Sequence, residues 1–135
     1  MSISKAGRII RAVLTSTGAI TAIVGSKVRP IKAAKADNYP YIIYEKITSP
    51  STQTKDGNSG WYKARFQLSL LATTLDTVEE LAKQTQIALE GFSGVIAGFT
   101  VQNITFEDER DRFNENSSID GVYMLQQDYI VTIQL

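Results

Sequence analysis

Two long stretches of alternating character, Tyr39–Thr48 and Trp61–Ala72, flank an insert at Ser49–Gly60 that holds no apolar side chain larger than Pro50. The alternation is cleaner in the second stretch. Tyr62, Ala64, Phe66, Leu68 and Leu70 share one face, and Trp61, Lys63, Arg65, Gln67 and Ser69 share the other. A period of two marks a half-buried β-strand. In the first stretch Tyr41, Ile43 and Ile47 lie opposite Ile42 and Tyr44, so both faces are partly apolar and both are expected to be covered near its start. The two stretches read as one long projecting hairpin. Its tip, residues 49–60, is expected to be flexible, because so polar a segment buries too little apolar surface to offset the entropy of ordering.

Before the hairpin the period changes. Ile3, Ala6, Ile9, Ile10, Val13 and Leu14 recur at helical spacing, with Lys5, Arg8 and Arg11 on the opposite side and Ser2 or Ser4 able to cap the start. Ala19–Val24 predicts a further short helical turn stopped by Gly25. Val28–Ile31 suggests a short strand, where Pro30 points to an edge or an irregular connection, and Asp37, Asn38 and Pro40 mark a turn.

After the hairpin, Thr74 or Asp76 caps a second main helix whose stripe is Val78, Leu81, Ala82, Thr85, Ala88 and Leu89, with Gly91 as its stop. Gly94 and Gly98 bracket a tight segment, and Phe99–Phe106 reads as a strand whose charged end, Glu107–Arg112, runs into a polar loop at Asn114–Gly121. The last strand, Val122–Leu135, places Tyr123, Leu125, Tyr129, Val131, Ile133 and Leu135 on one face. Val122, Met124 and Ile130 lie on the other, between Gln126, Asp128 and Thr132. The expected fold is α+β over residues 1–135: one domain with a largely antiparallel or mixed sheet and two main helices packed on it.

Composition then narrows the chemistry. The 135 residues contain 14 basic and 14 acidic side chains, so no global field draws in nucleic acid or an anionic membrane. A near-neutral surface is poorly protected against association and suits a subunit. With no histidine and no cysteine, disulfides, thiolate nucleophiles and sulfur-ligand zinc sites are excluded. No stretch approaches the roughly 20 apolar residues of a membrane helix, and the first residues lack the apolar core of a signal peptide. A cytoplasm-like compartment is expected. The glycosylation triplets at Asn103 and Asn116 carry no meaning without secretion.

One cluster could support catalysis. Glu107, Asp108 and Asp111 could hold a hard cation for a hydrolase, but Arg110 and Arg112 interrupt them and the spacing is not that of a calcium loop. Lys27, Arg29, Lys32 and Lys35 form a basic stretch with no interleaved aromatic platform, which suits a subunit contact better than nucleic acid. The segment Gly91–Gly98 follows a helix and lacks the lysine of a phosphate loop. No cofactor or metal is expected. Binding or assembly is therefore the first reading. Its candidate contact residues are Ser51, Lys55, Asp56 and Asn58 in the insert, and Trp61 beside it. On the sheet they are Lys27, Arg29 and Lys32 against Glu107, Asp108 and Arg110, with Met124 and Ile130 as an apolar stripe.

Several segments together carry a family likeness. Val24-Gly-Ser-Lys-Val-Arg-Pro30, Tyr39-Pro-Tyr-Ile-Ile-Tyr-Glu-Lys-Ile-Thr48, Ala64-Arg-Phe-Gln-Leu-Ser69, Leu81–Gly91, Glu107-Asp-Glu109 and Asp128-Tyr-Ile-Val-Thr-Ile133 occur in order over nearly the whole chain. The series resembles the tail-completion (tail-terminator) proteins of long-tailed bacteriophages and prophages. Ser69-Leu70 stands where an acidic residue is common, and Asn38 where a small residue or proline is usual. The resemblance implies an α/β fold without enzymatic activity or cofactor. It also implies a self-assembled ring, typically hexameric, that caps the tail tube at the head-proximal end of the virion. Partners would be the tail-tube protein and the head–tail connector, with DNA passing through the ring. Another ring component of the connector or tube is the alternative within the binding class, and the metal-dependent hydrolase is the alternative outside it.

Overall fold

The computed structural model describes residues 3–35, 37–48, 61–113 and 122–134. A 3-10 turn at Ile3–Lys5 leads into α1 (Gly7–Thr15), which buries Ile9, Ile10, Val13 and Leu14 on one face. The hydroxyls of Ser16 and Thr17 donate back to the carbonyl of Val13, at 3.0 and 2.8 Å, and close the helix. The chain then turns by 90° into α2 (Gly18–Val24). Gly25 ends α2 at φ 64°, a conformation glycine adopts without steric penalty. No single helix among the described residues is long and apolar enough to cross a membrane.

Among the described residues six strands form one sheet in the order β1-β2-β3-β6-β5-β4. They are β1 (Val28–Pro30), β2 (Tyr41–Thr48), β3 (Trp61–Ala72), β4 (Gly94–Ile96), β5 (Phe99–Phe113) and β6 (Tyr123–Gln134). Only β1 and β2 run parallel, and every other pair is antiparallel. The expected pairing of β2 with β3 is present, from Tyr41↔Leu71 to Thr48↔Arg65. The insert that would make it project, residues 49–60, lies outside the described residues. The face assigned to β3 is the inward one: Ala64, Phe66, Leu68 and Leu70 are all buried.

Two elements differ from the sequence reading. The charged run Glu107–Arg112 is not a strand end but the second half of β5, paired residue for residue with β6 from Asp108↔Asp128 to Phe113↔Tyr123. An extra residue at Gln102 and another at Glu107 shift the register twice, and such bulges re-aim a strand's side chains. The tight segment bracketed by Gly94 and Gly98 contains a strand, β4, joined to β5 by Ala97 and Gly98 at φ 53° and 82°. Two consecutive positive φ values are what a two-residue hairpin turn requires.

The three α-helices of the described residues cover one face. The third, α3 (Leu75–Leu89), starts where the Thr74 hydroxyl accepts the Thr77 N–H at 3.2 Å. It packs on β3 and β6, and α1 and α2 pack against it in turn. Contact of α1 with both β1 and β4, the opposite edges, shows that the sheet curls around the helix. Gly7 permits the approach, because a Cβ there would sit 3.1 Å from the Tyr44 ring.

Candidate assembly interface

The sheet's second face carries no helix among the described residues, and its centre is an ion-pair cluster. Asp128 lies on that face of β6 and is only 7% exposed. Its register partners are Gln67 on β3 and Asp108 on β5, which makes Arg65 and Arg110 its diagonal neighbours. Arg65 Nη2 donates to Oδ2 at 3.0 Å. Arg110 donates from Nη1 at 3.2 Å and from Nη2 to Oδ1 at 3.4 Å. Arg110 also meets Asp108 at 3.5 Å, and Arg65 meets Glu107 at 3.9 Å. Beside the cluster, Arg112 Nε donates to Gln126 at 3.2 Å, and Gln126 donates to the Ser69 hydroxyl at 3.2 Å. One carboxylate under two guanidiniums pins three strands together.

That cluster changes the expected apolar stripe. Met124 and Ile130 are half-buried on the open face, but Gln126 and Asp128 stand between them and break it into two patches. Val122 is buried.

The basic stretch borders β1. Arg29 makes a two-pronged ion pair with Asp37, at 3.0 and 3.1 Å. The Arg29 hydrogen bond, opposed by desolvation, holds the Asp37 carboxyl below its ordinary value. Lys27 Nζ donates to the Asn38 carbonyl at 2.7 Å. Both side chains thus fasten the 31–40 connection within the subunit, while Lys32 and Lys35 are exposed.

The carboxylates of a hydrolase do not converge. Asp108 faces the open side, beside Asp128 and Arg110, and Asp111 lines a hollow on the α3 side with Glu79 and Lys83. Among the described residues no group of three candidate ligands could hold a metal ion. Trp61 opens β3 opposite Gln134 and is half-buried. Ser51, Lys55, Asp56 and Asn58 lie outside the described residues.

Sequence reasoning passed over Arg65 and Asp128, the two residues that meet at the centre of the open face. A carboxylate inside an apolar strand was the available signal. It also passed over Gln127, fully buried on the helix side. Its amide donates to the Ala82 carbonyl at 3.0 Å and to Glu109 at 2.8 Å. Its carbonyl lies 2.7 Å from the Thr85 hydroxyl and accepts the Tyr129 hydroxyl at 2.9 Å. Burial pushes the Tyr129 phenol up, and pushes Tyr41, stacked on Tyr39, up to about 12.

Three comparisons bear on this architecture. Residues 8–133 match the family model described as Tail completion protein gp17. A solved chain from the virion of a native gene transfer agent (GTA) particle is similar in fold, with a TM-score of 0.75 and 16% identity over 99% of this chain and 100% of that one. No curated protein sequence matches.

Proposed function

The chain belongs to the tail completion protein family, and from that premise we propose that it closes the head-proximal end of a phage tail as a hexameric ring and forms the joint to the head. It is a structural protein of phage-type tails and of virion assembly, and it is not an enzyme. The hydrolase alternative falls with that membership. The match across residues 8–133 carries the reading. The likeness to a gene transfer agent chain over its full length supports it, because a fold of this kind is built into a virion particle.

The mechanism is surface matching. One face of the ring copies the contacts by which tube subunits add to each other, and the other offers a different surface, so growth stops. The fold supplies two unlike surfaces, a helix-covered side and an open sheet side with its charges paired internally. The neighbours are then the tail-tube protein on one side and the head–tail connector on the other, with DNA passing through the opening and no base read by a side chain. Electron microscopy of tails assembled without this protein tests the reading. Overlong tubes that fail to join heads are expected. Tubes of normal length that join heads would overturn it.

A further inference from the structure

One exposed isoleucine is held in a conformation that its residue type opposes. Ile31 follows the edge strand β1 at φ 72° and is 72% exposed. The Lys32 N–H donates to the Pro30 carbonyl at 2.7 Å, closing a γ-turn over Ile31, while the Ile31 N–H donates to Tyr44 at 2.8 Å. A γ-turn of this hand is strained even without a branched side chain, and a β-branched residue at positive φ is a steric outlier. Strain of this kind persists where surrounding structure imposes it and clusters at functional positions. The side chain so presented is apolar, and the exposed Lys32 and Lys35 follow it in the chain; Arg29 is already paired with Asp37, and Glu45 and Lys46 line the surface that Ile31 borders.

The matching shape lies elsewhere on the same chain. A hollow of ≈ 430 Å³ is walled by Leu75, Val78, Tyr123, Met124 and Leu125. Leu75 and Tyr123 are themselves large exposed apolar side chains. Asp111 lines the hollow, and Asp76 and Glu79 flank Leu75 on the first turns of α3. Among the described residues Arg112 is the one cation on its wall, and its Nε is directed to Gln126 on the open face. Here an apolar centre carries an acidic rim. In the sheet, β2 and β3 separate β1 from β6 and β5, so knob and hollow are different surfaces.

We infer that Ile31 of one copy seats in the Leu75–Tyr123 hollow of the next, with Lys32 and Lys35 over Asp76, Glu79 and Asp111. Complementary charge of this kind fixes register and rejects wrong partners. A contact between two unlike patches is heterologous, and when its rotation closes it makes a ring. The inference deepens the ring reading above and rests on it.

The chain contains no cysteine, so crosslinking can be directed. The double variant Ile31→Cys/Leu75→Cys, assembled into tails and mildly oxidised, should give a ladder of covalent multimers on a non-reducing denaturing gel. The ladder should end at the ring number, whereas each single variant stops at dimers at most. A second variant separates contact from folding. Ile31→Gly removes the knob and relieves the positive φ, so it should lose incorporation into tails while its melting temperature holds or rises. Rings of the parent protein seen by electron microscopy with no ladder beyond dimers would overturn this pairing and leave the ring reading standing. Absence of both ladder and parental rings would overturn both. An Ile31→Gly protein that enters tails as the parent does would also sink the pairing.

Discussion

Replacing Asp128 by alanine removes the one carboxylate among the described residues that receives both Arg65 and Arg110 through close hydrogen bonds, at 3.0, 3.2 and 3.4 Å. Two opposing considerations set the size of the loss. Breaking a fully buried ion pair costs about 3–5 kcal/mol because a charge is left stranded. Here, however, the side chains of Arg65 and Arg110 remain 34% and 28% exposed, so water takes up part of what the carboxylate gave. Fully exposed pairs are worth only about 0.2–1 kcal/mol. Hydrogen bonds to charged groups contribute about 1.5–3 kcal/mol, and we expect Asp128→Ala to fall in that range. Asp128→Asn keeps the shape and one acceptor and should lose roughly half as much. The assay is urea unfolding with the m-value held in common across variants, followed by a double-mutant cycle with Arg65→Met. A midpoint unchanged in Asp128→Ala, or no coupling in the cycle, would show that solvent screens the cluster and that it does not hold the sheet.

Phe66→Ala and Leu68→Ala, both buried on the helix side of β3, should each lose about 2–5 kcal/mol in the same assay; an unchanged midpoint would mean that the strand's faces are reversed. Gln127→Ala strips the buried acceptor from the Tyr129 hydroxyl, while the Thr85 hydroxyl keeps the Ala82 carbonyl at 2.9 Å, and should cost about 1–3 kcal/mol for the buried polar group left unpaired. Alkaline pH should also destabilise the fold. Burial raises the folded-state pKa of Tyr41 to about 12, against about 10 for an unfolded tyrosine. The folded chain therefore keeps a proton that the unfolded chain has released, and stability is intact below pH 10 and falls between about 10 and 12. Tyr129, raised by burial as well, acts in the same direction, and Tyr129→Phe should flatten the fall measured by thermal melts across pH.

Much of the fold was legible because one face of each element is dry. The stripe Val78, Leu81, Ala82, Thr85 and Leu89 on α3 and the alternation Ala64, Phe66, Leu68, Leu70 on β3 are burial patterns, and burial is what periodicity reports. Pro30 left open an edge strand or an irregular connection, and β1 is an edge strand. The second half of β5 was not legible, since its stability as a strand comes from pairing with β6 and from charges meeting across strands. Six successive charged residues look the same in a loop. The cluster at Asp128 needed register, because Arg65 and Arg110 are brought to it by strands distant in sequence. The strain at Ile31 was invisible for a similar reason: a φ of 72° is imposed by the hydrogen bonds to Tyr44 and Pro30, not by the residue itself.

Where the chain sits in an intact particle tests the account most directly. Gold-labelled antibody against this protein, imaged on whole virions by electron microscopy, should mark one collar at the junction of head and tail and leave the tube bare. Label distributed along the tube, or confined to the end far from the head, would contradict the claim that the protein closes the tail and joins it to the head.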